Sequence, residues 1–195
     1  MGCTVTFHDR VGRERIAAAF DPLTVEAALA LVESAAEETA RIALGDRECE
    51  VEVSFVGDAE MSRLHFDHMG ERGPTDVLSF PLHEWEVEGG RSHLSADDGI
   101  SPPGVLLLGD VVVDLDQAVR QAAEGEWSVT EEVVLLVIHG MLHLLGHDHA
   151  ELDEEGAMRA IEHEALTALH RRHREVQWKP GSLFDRAGHA VSSGT

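Results

Sequence analysis

Cations, cysteines and long apolar runs are what this sequence has little of. Lysine and arginine together number 15 against 37 aspartates and glutamates, so 195 residues carry a formal net charge of −22. Such a surface repels polyanions, and composition alone argues against nucleic acid or an acidic membrane as partner. The deficit is uneven, however. Residues 165 to 195 hold Arg171, Arg172, Arg174, Lys179 and Arg186 against only Glu175 and Asp185. Two cysteines, Cys3 and Cys49, cannot build a disulfide framework, and neither has a partner at metal-ligand spacing, which suggests a reducing, cytoplasmic setting. No run approaches the ~18 consecutive apolar residues of a membrane span, and the start lacks the basic-then-apolar layout of a secretory signal. Met1-Gly2-Cys3-Thr4-Val5-Thr6 matches a short acylation pattern, but an N-terminal strand is the simpler reading.

What is present is an ordinary globular composition, 43% hydrophobic and 27% charged, enough for one domain over residues 1–180 with a disordered tail over 181–195. Alternation predicts strands over 3–8 and 48–56, and a third over 76–80; the apolar run 105–113 fits a central strand buried on both faces. Asp21-Pro22 opens a long helix through about Ala43, and Asp58 caps a short one through His68. Residues 83–103, rich in Gly, Ser, Asp and Glu, read as a long irregular loop. Helices follow over 114–125 and from 153 to about 175, the latter turning Met158, Ile161, Leu166 and Leu169 to the core. Ser128-x-x-Glu131 is a capping box that opens another helix between them.

That helix carries the densest chemistry in the chain. Residues 139–149 contain His139, His143, His147 and His149, four of thirteen histidines, and the approach from Val133 to Ile138 is wholly apolar. Residues four apart share a helix face about 6 Å apart along the axis, so His139 and His143 can reach one metal ion. Gly146 stops the helix and lets the chain return with His149. Three imidazoles and an open position describe a catalytic zinc site better than a closed structural one. The spacing matches that of metzincin-type peptidases, but those place a glutamate directly after the first histidine as general base, where this chain has Gly140.

The run from His139 to His149 resembles the signature of the YbeY family of bacterial metal-dependent endoribonucleases. Pro74-Thr75-Asp76-Val77-Leu78-Ser79-Phe80-Pro81 is similar to that family's strand motif, and Leu108-Gly109-Asp110-Val111-Val112 to its second one. The resemblance spans roughly 51–169. It implies an α+β, zincin-like fold in which a small mixed sheet packs against a buried zinc-binding helix and flanking helices. One Zn2+ held by His139, His143 and His149 is implied too, as is cleavage of single-stranded RNA in ribosomal RNA maturation, including the 16S 3′ end, and in ribosome quality control. Ribosomal particles are then expected partners, and membranes and DNA are not.

Two departures mark this chain. Family members often carry an RNA-contacting arginine six residues before Thr75, where Met69 stands, and a tyrosine where His147 stands. Arg63 and Arg72 flank that gap as candidate replacements; Thr75 and Ser79 are candidate phosphate contacts. His147 either hydrogen-bonds a ligand or faces solvent. No general base is named by the sequence: Asp76, Asp110 and Asp148 are the carboxylates inside the motifs, and each also reads as a cap or an orienting group. Trp178, beside the basic 171–179 segment, is a possible base-stacking surface. A ribosome-assembly factor with a mainly structural zinc, or a metzincin-like peptidase, are the alternative readings.

Overall fold

A computed structural model of the chain describes residues 2–95, 104–148 and 152–174, with no side-chain description at 152–154. Six strands and six helices follow in the order β1 (Cys3–Asp9), α1 (Arg13–Ala19), α2 (Val25–Leu44), β2 (Cys49–Val56), α3 (Asp58–Met69), β3 (Val77–Pro81), β4 (Trp85–Glu88), β5 (Arg91–Leu94), β6 (Leu106–Asp114), α4 (Leu115–Gly125), α5 (Val129–Leu144) and α6 (Leu152–Arg172). The main sheet has the order β1-β2-β6-β3, with β1, β2 and β6 parallel and β3 antiparallel at the far edge. This is the small mixed sheet of an α+β fold.

Alternation decides which face of each strand is wet. Along β2, Val51, Val53 and Phe55 are buried while Glu50 and Glu52 face outward. The central β6 is buried on both faces: Leu106, Leu108, Val111 and Val113 join the main core, and Val112 joins a second cluster with Val56 and Met61 under α3. Between Glu50 and Val51 the pairing with β6 skips Leu108, a bulge that brings Gly109 opposite Val51. A Cβ at residue 109 would sit 2.1 Å from the Phe80 carbonyl oxygen, so β3 can close on β6 only at a glycine.

Helix α5 is laid on the face opposite α3, against β3, β6, α2 and α6. Its start is the expected capping box: Glu131 N donates to Ser128 Oγ at 3.2 Å, and Ser128 N donates to Glu131 Oε2 at 2.8 Å. Ile138, Met141 and Leu142 are fully buried, each stabilising the fold by roughly 1.5–3 kcal/mol relative to exposure. Among the described residues no single helix is long and apolar enough to cross a membrane.

Four expectations need correcting. The long helix begins at Val25, capped by Thr24 accepting from Ala27 N at 3.2 Å, and not at Asp21-Pro22. Asp58 is the first residue of α3 and Gly57 its cap. The short α1 was not foreseen. The expected 83–103 loop contains a hairpin, β4 paired antiparallel with β5 through a Gly89-Gly90 turn with Glu88 opposite Arg91. Glu84, Glu86 and Glu88 hid a short strand of which only Trp85 packs inward, against the turn at Gly146. Residues 96–103 of that segment, and the tail over 181–195, lie outside the described residues.

Gly140 shows how tightly α5 is seated. A Cβ there would lie 2.7 Å from Val111 Cγ1, 3.1 Å from Val77 Cγ2 and 3.2 Å from Ser79 Oγ. Alanine is intrinsically the better helix former by about 1 kcal/mol, so an exposed site would gain from the exchange. Here Gly140→Ala is expected to lose about 1–3 kcal/mol in denaturant unfolding, because the helix must lift off the sheet. A neutral or stabilising effect would contradict this packing.

Candidate metal centre

His139 and His143 stand one turn apart on α5, with ring centroids 4.7 Å apart and planes at 80°. Their Nε2 atoms approach to 3.1 Å. On the other side of His139, Nδ1 lies 2.7 Å from Oε1 of Glu162 on α6. A carboxylate only accepts, so the proton belongs on Nδ1, and Nε2 presents its lone pair toward His143. Two ligands of one tetrahedral zinc with ~2.05 Å bonds lie roughly 3.3 Å apart, so the two imidazoles already span one edge of such a site. The donor set fits the metal: two imidazole nitrogens converge, and one is oriented by a carboxylate behind it.

Past Leu144 the chain turns as the glycine requires. Gly146 adopts φ +82°, its N–H donates to the His143 carbonyl at 3.1 Å, and His147 N donates to the Leu142 carbonyl at 2.9 Å. A Cβ on residue 146 would lie 2.5 Å from Trp85 Cβ, so the β4–β5 hairpin rests on this turn. The same turn drives His147 inward. It is 4% exposed, its Nε2 lies 3.2 Å from Ser92 Oγ on β5, and burial lowers its pKa. That corrects the solvent-facing alternative: His147 pins the hairpin to the end of α5. His149 lies outside the described residues, so its place as third ligand rests on spacing alone.

The other candidates separate. Ser79 faces α5 and donates to the Gly140 carbonyl at 2.8 Å, so its proton is committed to the helix. Thr75 Oγ1 donates to Asp76 Oδ1 at 3.3 Å; Asp76 also accepts from Val77 N at 2.9 Å and, through Oδ2, from Gln121 Nε2 at 2.9 Å. Asp110 sits opposite Glu52 and Phe80 in the sheet, and since its neighbour Val111 meets α5, its own side chain takes the other face. Burial, then the Glu52 charge, raises its pKa. Asp148 is exposed beside His147, and Arg63 on α3, Arg72 in the loop after it and Met69 are exposed as well. Arg172 pairs with Glu37 at 2.9 Å, while Trp178 and Lys179 lie outside the described residues.

Glu162 was missed, although a signal existed. It falls on the same α6 stripe as Met158, Ile161 and Leu166, where a charged residue is out of place unless something buried needs it. Because Glu162 sets the tautomer and angle of His139, Glu162→Gln is expected to weaken zinc binding roughly 10- to 100-fold in a competition titration, with the fold retained. Unchanged affinity would remove Glu162 from the site.

A second group of acids lies at the carboxyl ends of the parallel strands. Asp58, Asp114 and Asp116 bring one oxygen each within 4.8 Å of one another. Arginines already answer two of them: Arg120 grips Asp58 at 2.6 and 3.0 Å, and Arg15 pairs with Asp116. Asp114 is wholly buried, caps α4 by accepting from Asp116 N at 3.0 Å, and is pushed up to about 7 by burial and the facing Asp58 carboxylate. An unfolded aspartate titrates near ~3.9. The folded chain therefore binds this proton more tightly, and Asp114's contribution to stability is complete below about pH 4 and lost as pH rises through about 7. Asp114→Asn keeps a capping oxygen and is expected to flatten that limb by up to about 1.4 kcal/mol per pH unit in denaturant unfolding. An identical slope in both proteins would contradict the assignment.

Known proteins are similar to this chain in sequence. The sequence model of a family described as Endoribonuclease YbeY matches residues 18–170, which take in both strand motifs and the helices bearing His139, His143 and Glu162. A relative named Endoribonuclease YbeY from Acidothermus cellulolyticus is 43% identical over 132 residues, 68% of this chain and 77% of that protein. Relatives of the same name from Beutenbergia cavernae and Mycolicibacterium gilvum are 47% and 43% identical, covering 61% and 60% of this chain and 73% and 62% of their own lengths. A solution structure from Thermotoga maritima aligns over 92% of this chain and 98% of its own, with a TM-score of 0.45 and 21% identity. The match over 18–170 makes this chain a member of the YbeY family of endoribonucleases.

Proposed function

We propose that the chain is a zinc-dependent endoribonuclease that cuts single-stranded RNA in the cytoplasm. Its targets in this reading are ribosomal RNA, the 16S 3′ end among them, and RNA in defective ribosomal particles. The observation that carries the reading is the convergence of His139 and His143 Nε2 at 3.1 Å with Glu162 clamped behind His139. The relatives' name supplies the reaction class. His139, His143 and His149 would hold one zinc, leaving a fourth position for water or a phosphoryl oxygen. Bound there, zinc would supply Lewis acidity and lower the pKa of a coordinated water.

The chain's own groups do the rest. Glu162 fixes one ligand's proton on Nδ1, and the buried α5 keeps both imidazoles from swinging. Ser79, its proton spent on Gly140, serves the seating of the helix more than a phosphate. Arg63, Arg72 and Thr75 remain the proposed RNA contacts, and they matter more here than in a basic protein, since the net charge of −22 opposes RNA over most of the surface. A peptidase reading loses ground at Gly140, because no side chain, least of all a glutamate, fits between α5 and Val111.

The test is cleavage of single-stranded RNA by chelator-stripped and zinc-reloaded protein, beside His143→Ala. Stripping should abolish cleavage, zinc should restore it, and the variant should lose at least ~100-fold, with single-stranded DNA left intact throughout. Cleavage that survives both stripping and His143→Ala would overturn the reading.

A further inference from the structure

The two cysteines, far apart in sequence, meet in the fold. Cys3 on β1 and Cys49 on β2 are register partners in a parallel pair, 3% and 0% exposed, and they are all the cysteine the chain has. Paired residues on adjacent strands project to the same face, and strands lie about 4.8 Å apart, inside the roughly 4.4–6.8 Å Cα window that a disulfide accepts. A cleft of about 290 Å³ is lined by both cysteines together with Glu33, Glu37 and Glu48.

From this juxtaposition we infer that Cys3 and Cys49 form a redox site, a dithiol that a small-molecule disulfide converts to an intramolecular disulfide tying edge strand β1 to β2. The two thiols are not equivalent. The Cys3 thiol donates a hydrogen bond to Cys49, which lowers the pKa of Cys49 and, with burial, raises that of Cys3. Cys49 is therefore the attacking sulfur and Cys3 the resolving one. In the first step the Cys49 thiolate attacks one sulfur of the reagent, its S–S bond breaks, and one thiolate leaves. The Cys3 sulfur, giving up its proton to that thiolate or to water, then attacks Cys49 and expels the second reagent thiol. Two protein S–H bonds are lost, one S–S bond moves from reagent to protein, and the reagent is reduced to two thiols.

Acidic walls disfavour an anionic reagent, so the test uses uncharged 2-hydroxyethyl disulfide on the reduced full chain, in chelator. The products are trapped with N-ethylmaleimide and weighed intact. The expected product has lost two hydrogens, carries no maleimide after unfolding, melts roughly 5–10 °C higher because a long loop is closed, and reverts with dithiothreitol. Cys3→Ser should instead retain a mixed disulfide on Cys49, which distinguishes attack at Cys49 from general thiol oxidation. Two maleimides on the treated wild type, a persistent mixed disulfide without closure, or disulfide-linked dimers would each overturn the proposal.

Discussion

The contact on which the rest depends is the seating of α5 against the sheet. A helix buried on most sides carries two imidazoles, and polar rings in an apolar setting are costly unless each nitrogen has a partner. The structure meets that demand on one side with Glu162 from α6, and Gly140 lets the helix come close enough to β6 and β3 for α6 to reach over it. Ser79 tethers the same turn from below, and the hairpin, held by His147 and Ser92, closes its C-terminal end. Each is a packing device first. Together they hold two nitrogens in the spacing of metal ligands.

Charge sets the second constraint. A chain with 37 acids and 15 lysines and arginines must confine any RNA contact to a small area, and several of its cations are already engaged with carboxylates: Arg15, Arg120 and Arg172 each close an ion pair. The acids at the carboxyl ends of β2 and β6 belong to such a network. Arg63 and Arg72, the proposed RNA contacts, are exposed on either side of exposed Met69.

How much of this was legible depended on whether the signal was local. The α5 helix, its capping box, the turn at Gly146 and the doubly buried β6 are all written within a few residues of themselves, and they stand where the pattern placed them. Glu162 is 23 residues from His139 and is visible only as a misplaced charge on an apolar stripe. Cys3 and Cys49 meet through strand register, which spacing along the chain does not encode. The β4–β5 hairpin failed for another reason: its glutamates look solvated one by one, and only the neighbouring α5 turn gives Trp85 a surface to cover. Nothing local marks His147 as buried; the turn at Gly146 folds it inward against Ser92.

Zinc K-edge absorption of the fully reduced, singly loaded protein bears most directly on the central claim, because imidazole, thiolate and carboxylate ligands give different shells. If the histidine helix is the site, the nearest shell should consist of imidazole nitrogen with one or two oxygens at about 2.0 Å, with outer-shell scattering from imidazole carbons and no sulfur. A sulfur shell near ~2.3 Å, pointing to Cys3 and Cys49, or an all-oxygen shell, pointing to Asp58, Asp114 and Asp116, would contradict it.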